Sequence, residues 1–283
     1  MSTPSQVTLG VIEYLNAAPV WGPLSHMSLP GIALRWGVPA AINAALSTGA
    51  VDIANVSSLT FGQHAREWLL APDLAVGAGS AVESVVLFSW HSDWRALDGR
   101  TIAVTTDSAT SVALLRLLCE ERYGIHATFA PMPSDLDAML ATHDAALIIG
   151  DRALIEMTTR RAVAGRGVPH AFDMAAEWHH WQGLPFVFAV WAIRADRAAA
   201  VRASGLLERL AKAKASGLGS LPTLAADAAR RLGLPEATCL RYLRLLHYDL
   251  TSGHMAGLRA FLEGAIPGFR WADVRTLTAA EYA

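Results

Sequence analysis

Residues 105–118 read TTDSATSVALLRLL, and four of them are candidates for chemistry. Asp107, Ser108, Thr110 and Ser111 stand where a strand gives way to a helix, the point at which a helix leaves its first N–H groups unpaired. One small polar residue is enough for an N-cap. A cluster adds hydroxyl donors to the free amides and to the positive end of the helix dipole, which suits an anion such as a carboxylate. The same neutral chemistry recurs at other expected strand ends. Asn16 precedes Pro19 at a helix start, Asn55, Ser57 and Ser58 close the third strand, and Ser84 follows the small-residue turn GAGSAV. Gly150 and Asp151 in IIGDRAL, with Gly183 and Leu184 in WQGLPFVF, complete the set. These residue types describe a site that binds through amides, hydroxyls and dipoles.

Other chemistries lack their motifs. There is no Gly-x-Gly-x-x-Gly after the first strand and no Gly-x-x-x-x-Gly-Lys, so nucleotide phosphates are not indicated. Neither Cys-x-x-Cys nor His-Glu-x-x-His occurs, and the adjacent His179 and His180 diverge by about 100° on a helix, so no metal is expected. No Gly-x-Ser-x-Gly elbow marks a nucleophile. A net charge of −2, spread along the chain, argues against nucleic acid or an anionic membrane as partner. No run approaches the roughly 18 apolar residues that span a bilayer, and the N-terminus has no basic segment ahead of an apolar one. The expectation is a cytoplasmic protein, with Cys119 and Cys239 packed as small apolar thiols. Its 283 residues are 53% apolar and only 17% charged, which favours a folded chain over a disordered one.

Positioning such residues requires strands that end together. VTLGVI (7–12), IALRW (32–36) and VDIANV (51–56) read as strands separated by helical stretches, with a further helix around FGQHAREWLL (61–70). This βαβ rhythm implies a largely parallel sheet. ESVVLFSW (83–90) and LPFVFAVW (184–191) are apolar almost throughout, as strands buried on both faces are. Between them lie TIAVTT, a helix at 110–123 closed by Gly124, ATFAP, the helix SDLDAMLATH and AALIIG, about ninety residues and enough for a small lobe. The predicted architecture is α/β with two lobes, the first from 1–91 and 185–283, the second inserted at 92–184. The site then lies in the cleft between them. Residues 221–246 scan like a helix-turn-helix with Gly233 at the turn and Arg241 and Arg244 on the second helix. Leu240, Leu243, Leu245 and Leu246 make that helix a packing element rather than a DNA reader.

Six blocks, YLNAAPV, VDIANVSS, ESVVLFS, TTDSATSVALLRLL, IIGDRAL and GLPFVFAVW, resemble in order those of the chorismate dehydratases of the futalosine route to menaquinone. The resemblance runs from Val7 to Trp191. The Ser-Pro-x-Pro-Asn-Asp block of the sister 1,4-dihydroxy-6-naphthoate synthases does not occur. Asn55 stands where the resemblance leads one to expect proline. A periplasmic-binding-protein type II fold is implied, with an interlobe ligand cleft. So is a hydro-lyase reaction in which chorismate loses water to give 3-[(1-carboxyvinyl)oxy]benzoate, without metal or organic cofactor.

On that resemblance Thr110 and Ser111 hold a substrate carboxylate, and Ser57, Ser58, Ser108, Gly150, Gly183 and Leu184 are further substrate contacts. Ser84 and Asn16 serve the reacting end, orienting the departing hydroxyl or a neighbouring carboxylate. The base is open among Asp151, Glu83 and a carboxylate of the substrate itself. Trp178, Phe186 and Phe188 are either cleft wall or plain core. The rival reading is a cytoplasmic non-catalytic binding protein or sensor for a small carboxylate.

Overall fold

The structure, a computed structural model, describes residues 6–277. The chain opens with β1 (Val7–Ile12), α1 (Ala18–Ser25), β2 (Ile32–Gly37), α2 (Pro39–Ser47), β3 (Ile53–Ser57), α3 (Ser58–Gln63) and β4 (Trp68–Ala78). Next come β5 (Val85–Ser89), β6 (Thr101–Thr105), α4 (Ala109–Leu117), β7 (Thr128–Met132), α5 (Leu136–Thr142), β8 (Ala145–Ile149), α6 (Gly150–Thr159), β9 (His170–Asp173) and α7 (Met174–Gln182). The last part holds β10 (Phe186–Arg194), α8 (Ala198–Ala203), α9 (Leu206–Gly219), α10 (Leu221–Leu232), α11 (Glu236–Leu245), β11 (Leu246–His247), α12 (Ser252–Ala265) and β12 (Arg275–Thr276).

Two sheets divide these strands. One has the order β11-β4-β10-β3-β1-β2, with β12 also on β4; the other has the order β7-β6-β8-β5-β9. The chain leaves the first sheet through residues 79–84 and returns through 183–185. The strand at 85–89, expected in the first lobe, pairs antiparallel with β8 and β9 and so belongs to the second sheet. Each sheet is parallel except for one long reversed strand, β10 between β3 and β4 and β5 between β8 and β9, and for the two-residue β11, antiparallel to β4. The reason is topological. β1, β3, β6 and β8 end at the cleft, whereas β5 and β10 each start there, having just crossed from the other sheet. Both reversed strands are nearly all buried, as their unbroken apolar runs require.

β4 replaces part of the helix expected at 61–70. α3 stops at Gln63, and a single turn leads to Trp68, where an eleven-residue strand begins. Trp68, Leu70 and Ala71 are buried between β10 and β12, and that packing overrides the helical character of the preceding AREW. A bulge in the β4–β10 ladder falls where Pro72 lacks an N–H and Asp73 takes φ 53°. Lys214, buried on α9, closes it by donating to Asp73 Oδ2 at 2.9 Å and to Asp249 Oδ1 at 2.6 Å. The helix expected at 110–123 exists, but its last stretch, Leu118–Tyr123, widens to a π-helical turn before Gly124 closes it in a left-handed conformation.

The helices after β10 cover the first sheet. α9 lies so close to α1 that a Cβ on Gly217 would fall 1.9 Å from Pro19 O, so only glycine fits. That contact fixes the chain just after Asn16. α10 and α11 form the helix-turn-helix seen in the sequence, with Gly233 at φ 68° between them, and they bury Ala225, Ala228, Cys239, Tyr242 and Leu243. Both cysteines are buried free thiols. Burial, with Glu120 beside it, pushes Cys119 up to about 12.

Candidate active site

The carboxyl ends of β1, β3, β6 and β8 converge on a cavity enclosing about 910 Å³, part of it open to solvent. Its rim is a ring of helix starts: the 3-10 turn at Leu15–Ala17 leading into α1, Pro39 and Ala40 of α2, Ser57 before α3, Ser108 before α4, and Gly150 at the head of α6. Neither α2 nor α6 has a side-chain cap. Each such end adds unpaired N–H groups and about half a positive charge. Asp107 is the one charged side chain among the described residues lining the cavity. Any positive potential here therefore comes from backbone and dipoles. Ile12, Val76, Val82, Val85, Phe188 and Leu246 supply an apolar floor.

Six of the eleven residues assigned above to substrate or catalysis line this space, Asn16, Ser57, Ser84, Ser108, Ser111 and Gly150, and the strand-end candidates Asn55 and Asp107 line it too. Ser108 Oγ caps α4 by accepting the Ser111 N–H at 3.1 Å, and the two hydroxyls are 2.9 Å apart. Ser57 Oγ caps α3 and shares a net with Thr60 and Asn43. Gly150 takes φ 70°, a turn that favours glycine, and faces the Tyr14 ring across the cleft, 3.5 Å from where a Cβ would stand. Ser84 is buried and accepts a 2.9 Å hydrogen bond from the Tyr242 hydroxyl. Burial of Tyr242 drives its hydroxyl far above the usual phenol range, so it acts as a neutral donor. The crossing that carries Ser84 is pinned by Asp173, whose carboxylate accepts from Val82 N and Glu83 N as well as Ala175 N and Ala176 N. Burial raises the Asp173 carboxyl while those four donors pull it down.

The other five expected residues are structural neighbours of the cavity. Ser58 is buried and donates to Val187 O at 2.7 Å. Thr110 is buried and its Oγ1 accepts the Leu59 N–H at 2.9 Å, tying α4 of the second sheet to α3 of the first. Asp151 accepts the Leu15 N–H at 3.2 Å and pairs with Arg231 at 2.9 Å, so it braces the turn that presents Asn16. Gly183 is the left-handed end of α7, exposed, and Leu184 is half-buried beside α12. Glu83 has φ 58° and is ion-paired to Arg241. Of the three aromatics, Phe188 reaches the cavity, while Trp178 and Phe186 pack edge-to-face with Phe261 in the core. Phe186 and Phe188 still touch, their ring centroids 4.6 Å apart.

Sequence reasoning missed Tyr14, Asn43, Thr106 and Tyr242. Tyr14 stands two residues before Asn16 and was available on spacing alone; burial, then Asp107 and Asp151 nearby, raise its hydroxyl. Asn43 lies one helical turn beyond Pro39, on the face that Pro39 and Ala40 turn to the cavity. Tyr242 meets Ser84 across 158 residues, which no local pattern announces.

Comparison with known proteins agrees with this architecture. A family model described as menaquinone biosynthesis matches residues 7–266. A chorismate dehydratase of Thermus thermophilus is 35% identical over 265 residues, covering 90% of this chain and 93% of that protein. One from Campylobacter jejuni is 28% identical, covering 64% of each. Among solved structures, the periplasmic aliphatic sulphonate-binding protein of Escherichia coli superposes with a TM-score of 0.63 at 14% identity, covering 92% of this chain and 86% of that one. That last likeness establishes the periplasmic-binding-protein-like fold, two lobes with a cleft between them. With the sequence matches it shows that the chain belongs to the menaquinone-biosynthesis family that includes the chorismate dehydratases.

Proposed function

We propose that this protein is a chorismate dehydratase of the cytoplasm, removing water from chorismate to give 3-[(1-carboxyvinyl)oxy]benzoate for the futalosine route to menaquinone, without metal or organic cofactor. The observation that carries the reading is the ring of helix starts and neutral donors around an apolar floor, in a chain of this family. Chorismate has that shape in complement: two carboxylates, one hydroxyl and an apolar ring. Ser108, Ser111 and the amides of α4 suit one carboxylate, and the heads of α2 and α6 suit the other.

In the elimination, the C–H bond at the ring carbon carrying the enol ether breaks and its electron pair forms the new ring double bond. The C–O bond to the neighbouring hydroxyl breaks, and hydroxide takes up a proton and departs as water. Aromatisation drives the step, so the protein's contribution is to fix one conformer and stabilise the departing oxygen. Tyr242 donates to Ser84, which leaves the proton of Ser84 free to point at a substrate oxygen. Asn16 has no hydrogen-bond partner among the described residues and offers a whole amide. The ion pairs of Asp151 and Glu83 favour a carboxylate of the substrate as proton acceptor over either side chain. That carboxylate can hand the proton to the leaving hydroxide, so the step balances without an outside acid.

Asp107 supports a second reading of the base, since it lines the cavity with one oxygen engaged by Ser134 at 2.9 Å. Asp107→Asn separates the two: turnover kept within about threefold supports the substrate carboxylate, and a fall of the order of 10²-fold moves the role to Asp107. The function itself is tested by incubating purified protein with chorismate, without added metal or cofactor, and following products by mass spectrometry. A product lighter by one water, absent from boiled controls, is expected. Binding by calorimetry without product would make the protein a receptor, and neither binding nor product would overturn the substrate.

A further inference from the structure

The buried face of β3 carries a polar group with nothing to bind. Asn55 is 4% exposed, lines the cavity, and makes no side-chain hydrogen bond among the described residues; its Oδ1 is buried with no partner. The position is not one that needs an amide for the fold. β3 pairs with β1 only as far as Ala54, and Asn55 lies just beyond, facing Trp191 of β10 across the ladder. Around it are Leu9, Val11, Ile12, Val20, Leu24 and Leu210, which an aliphatic side chain would fit at least as well. A buried acceptor left unsatisfied lowers the stability of the fold. Groups of that kind are retained where a ligand completes them.

We infer that Asn55 is a specificity-determining residue whose amide holds the ring hydroxyl of the substrate. The inference rests on the chorismate reading and deepens it. Carboxylates only accept, and the hydroxyls and helix starts of the cavity already meet that need. At neutral pH the ring hydroxyl is the sole hydrogen-bond donor chorismate has, so of the ligand's groups it alone can satisfy the amide oxygen once the amide turns Oδ1 from its buried position toward the cavity. Because neither end of the Asn55 amide has a protein partner, half a turn about its last bond exchanges Oδ1 and Nδ2 without breaking a hydrogen bond. The same side chain can therefore accept from the hydroxyl in the bound state and donate to the oxygen as its C–O bond lengthens.

The test compares wild type with Asn55→Leu, which keeps volume, and Asn55→Ala, which keeps the fold if leucine overfills the site. Chorismate and an analogue with hydrogen in place of the ring hydroxyl are titrated by calorimetry, and Tm is read for each protein. The expected result is about tenfold weaker binding of chorismate by Asn55→Leu or more, unchanged binding of the analogue, and a Tm equal to or above wild type. Equal losses for both ligands would overturn the assignment to the hydroxyl. Wild-type affinity for chorismate in both variants would remove Asn55 from the site. Weaker binding accompanied by a lower Tm in both variants would make the residue structural. Wild-type protein that neither binds nor converts chorismate overturns the substrate reading, and this inference falls with it.

Discussion

The two walls of the cavity use similar residues and finish them differently. On the wall that belongs to the second sheet, the hydroxyls and the carboxylate already have protein partners: Ser108 with Ser111, Ser84 with Tyr242, Asp107 with Ser134. On the first-sheet wall, Asn16 and Asn55 have none among the described residues, although Asn43 and Ser57 close a net through Thr60. Partnered groups hold their geometry before the ligand arrives, which is what stabilising a developing charge requires. Unpartnered amides cost stability until a ligand satisfies them, which is what recognition requires. The second-sheet wall therefore offers preformed donors, and the first-sheet wall adds amides that only a ligand can satisfy.

The largest effect should come from the partnered side. Ser84→Ala removes a buried, oriented hydroxyl and leaves Tyr242 without its acceptor. Turnover is expected to fall about 10²- to 10³-fold, with chorismate affinity changed by less than about tenfold. Steady-state kinetics together with calorimetry read both; near-wild-type turnover would remove Ser84 from the mechanism. Ser111→Ala comes next. It deletes a hydroxyl in the first turn of α4 while Ser108 goes on capping the helix. One hydrogen bond to a charged group is worth about 1.5–3 kcal/mol, so KM should rise about 10- to 100-fold with kcat largely kept. A loss in kcat alone would move Ser111 from anchoring to chemistry.

Much of this division was legible in the sequence because helix starts are local. Ser57, Ser108 and Gly150 are fixed by cap and turn chemistry within a few residues of themselves, and all three reach the cavity. Thr110 and Ser58 have the same local signature yet face inward, since one residue along a helix turns a side chain by about 100°. Type and spacing cannot choose between those neighbours; the packing of α3 on α4 does. The first sheet was read less well at β4, where pairing to β10 and β12 decides the structure of Trp68–Ala71. The sheet to which 85–89 belongs was likewise invisible, because an all-apolar strand says that it is buried and not against what. Tyr242 was hidden in a motif that resembles a DNA reader.

Tyr242→Phe tests whether partnering itself matters. The ring and its burial stay, and the donor to Ser84 goes. Stability should drop by about 1 kcal/mol, seen as a lower Tm. If the hydrogen bond holds Ser84 in its working rotamer, kcat should fall roughly fivefold while chorismate affinity stays the same. An equal change in KM and no change in kcat would mean that the bond serves the fold alone.

Asp151→Asn should give the smallest change, and it sharpens the comparison most because the residue type would suggest the opposite. Asp151 sits at the start of α6, next to Gly150 of the cavity, where a general base would be sought. Its oxygens are otherwise occupied: one accepts the Leu15 N–H, and the other pairs with Arg231 of α10. Asparagine keeps an acceptor for Leu15 and loses only the charge. Arg231 is nearly half exposed, so water screens the pair and its worth is about 0–1 kcal/mol. Turnover within about threefold of wild type and a Tm shift of a few degrees are expected, with an unchanged pH profile. A base would behave otherwise: its amide variant loses turnover by about 10²-fold or more and flattens the acid limb of kcat against pH. The first outcome makes Asp151 a brace between the two lobes, holding the turn that carries Asn16. The second would return the proton to a protein carboxylate and break the division between the two walls.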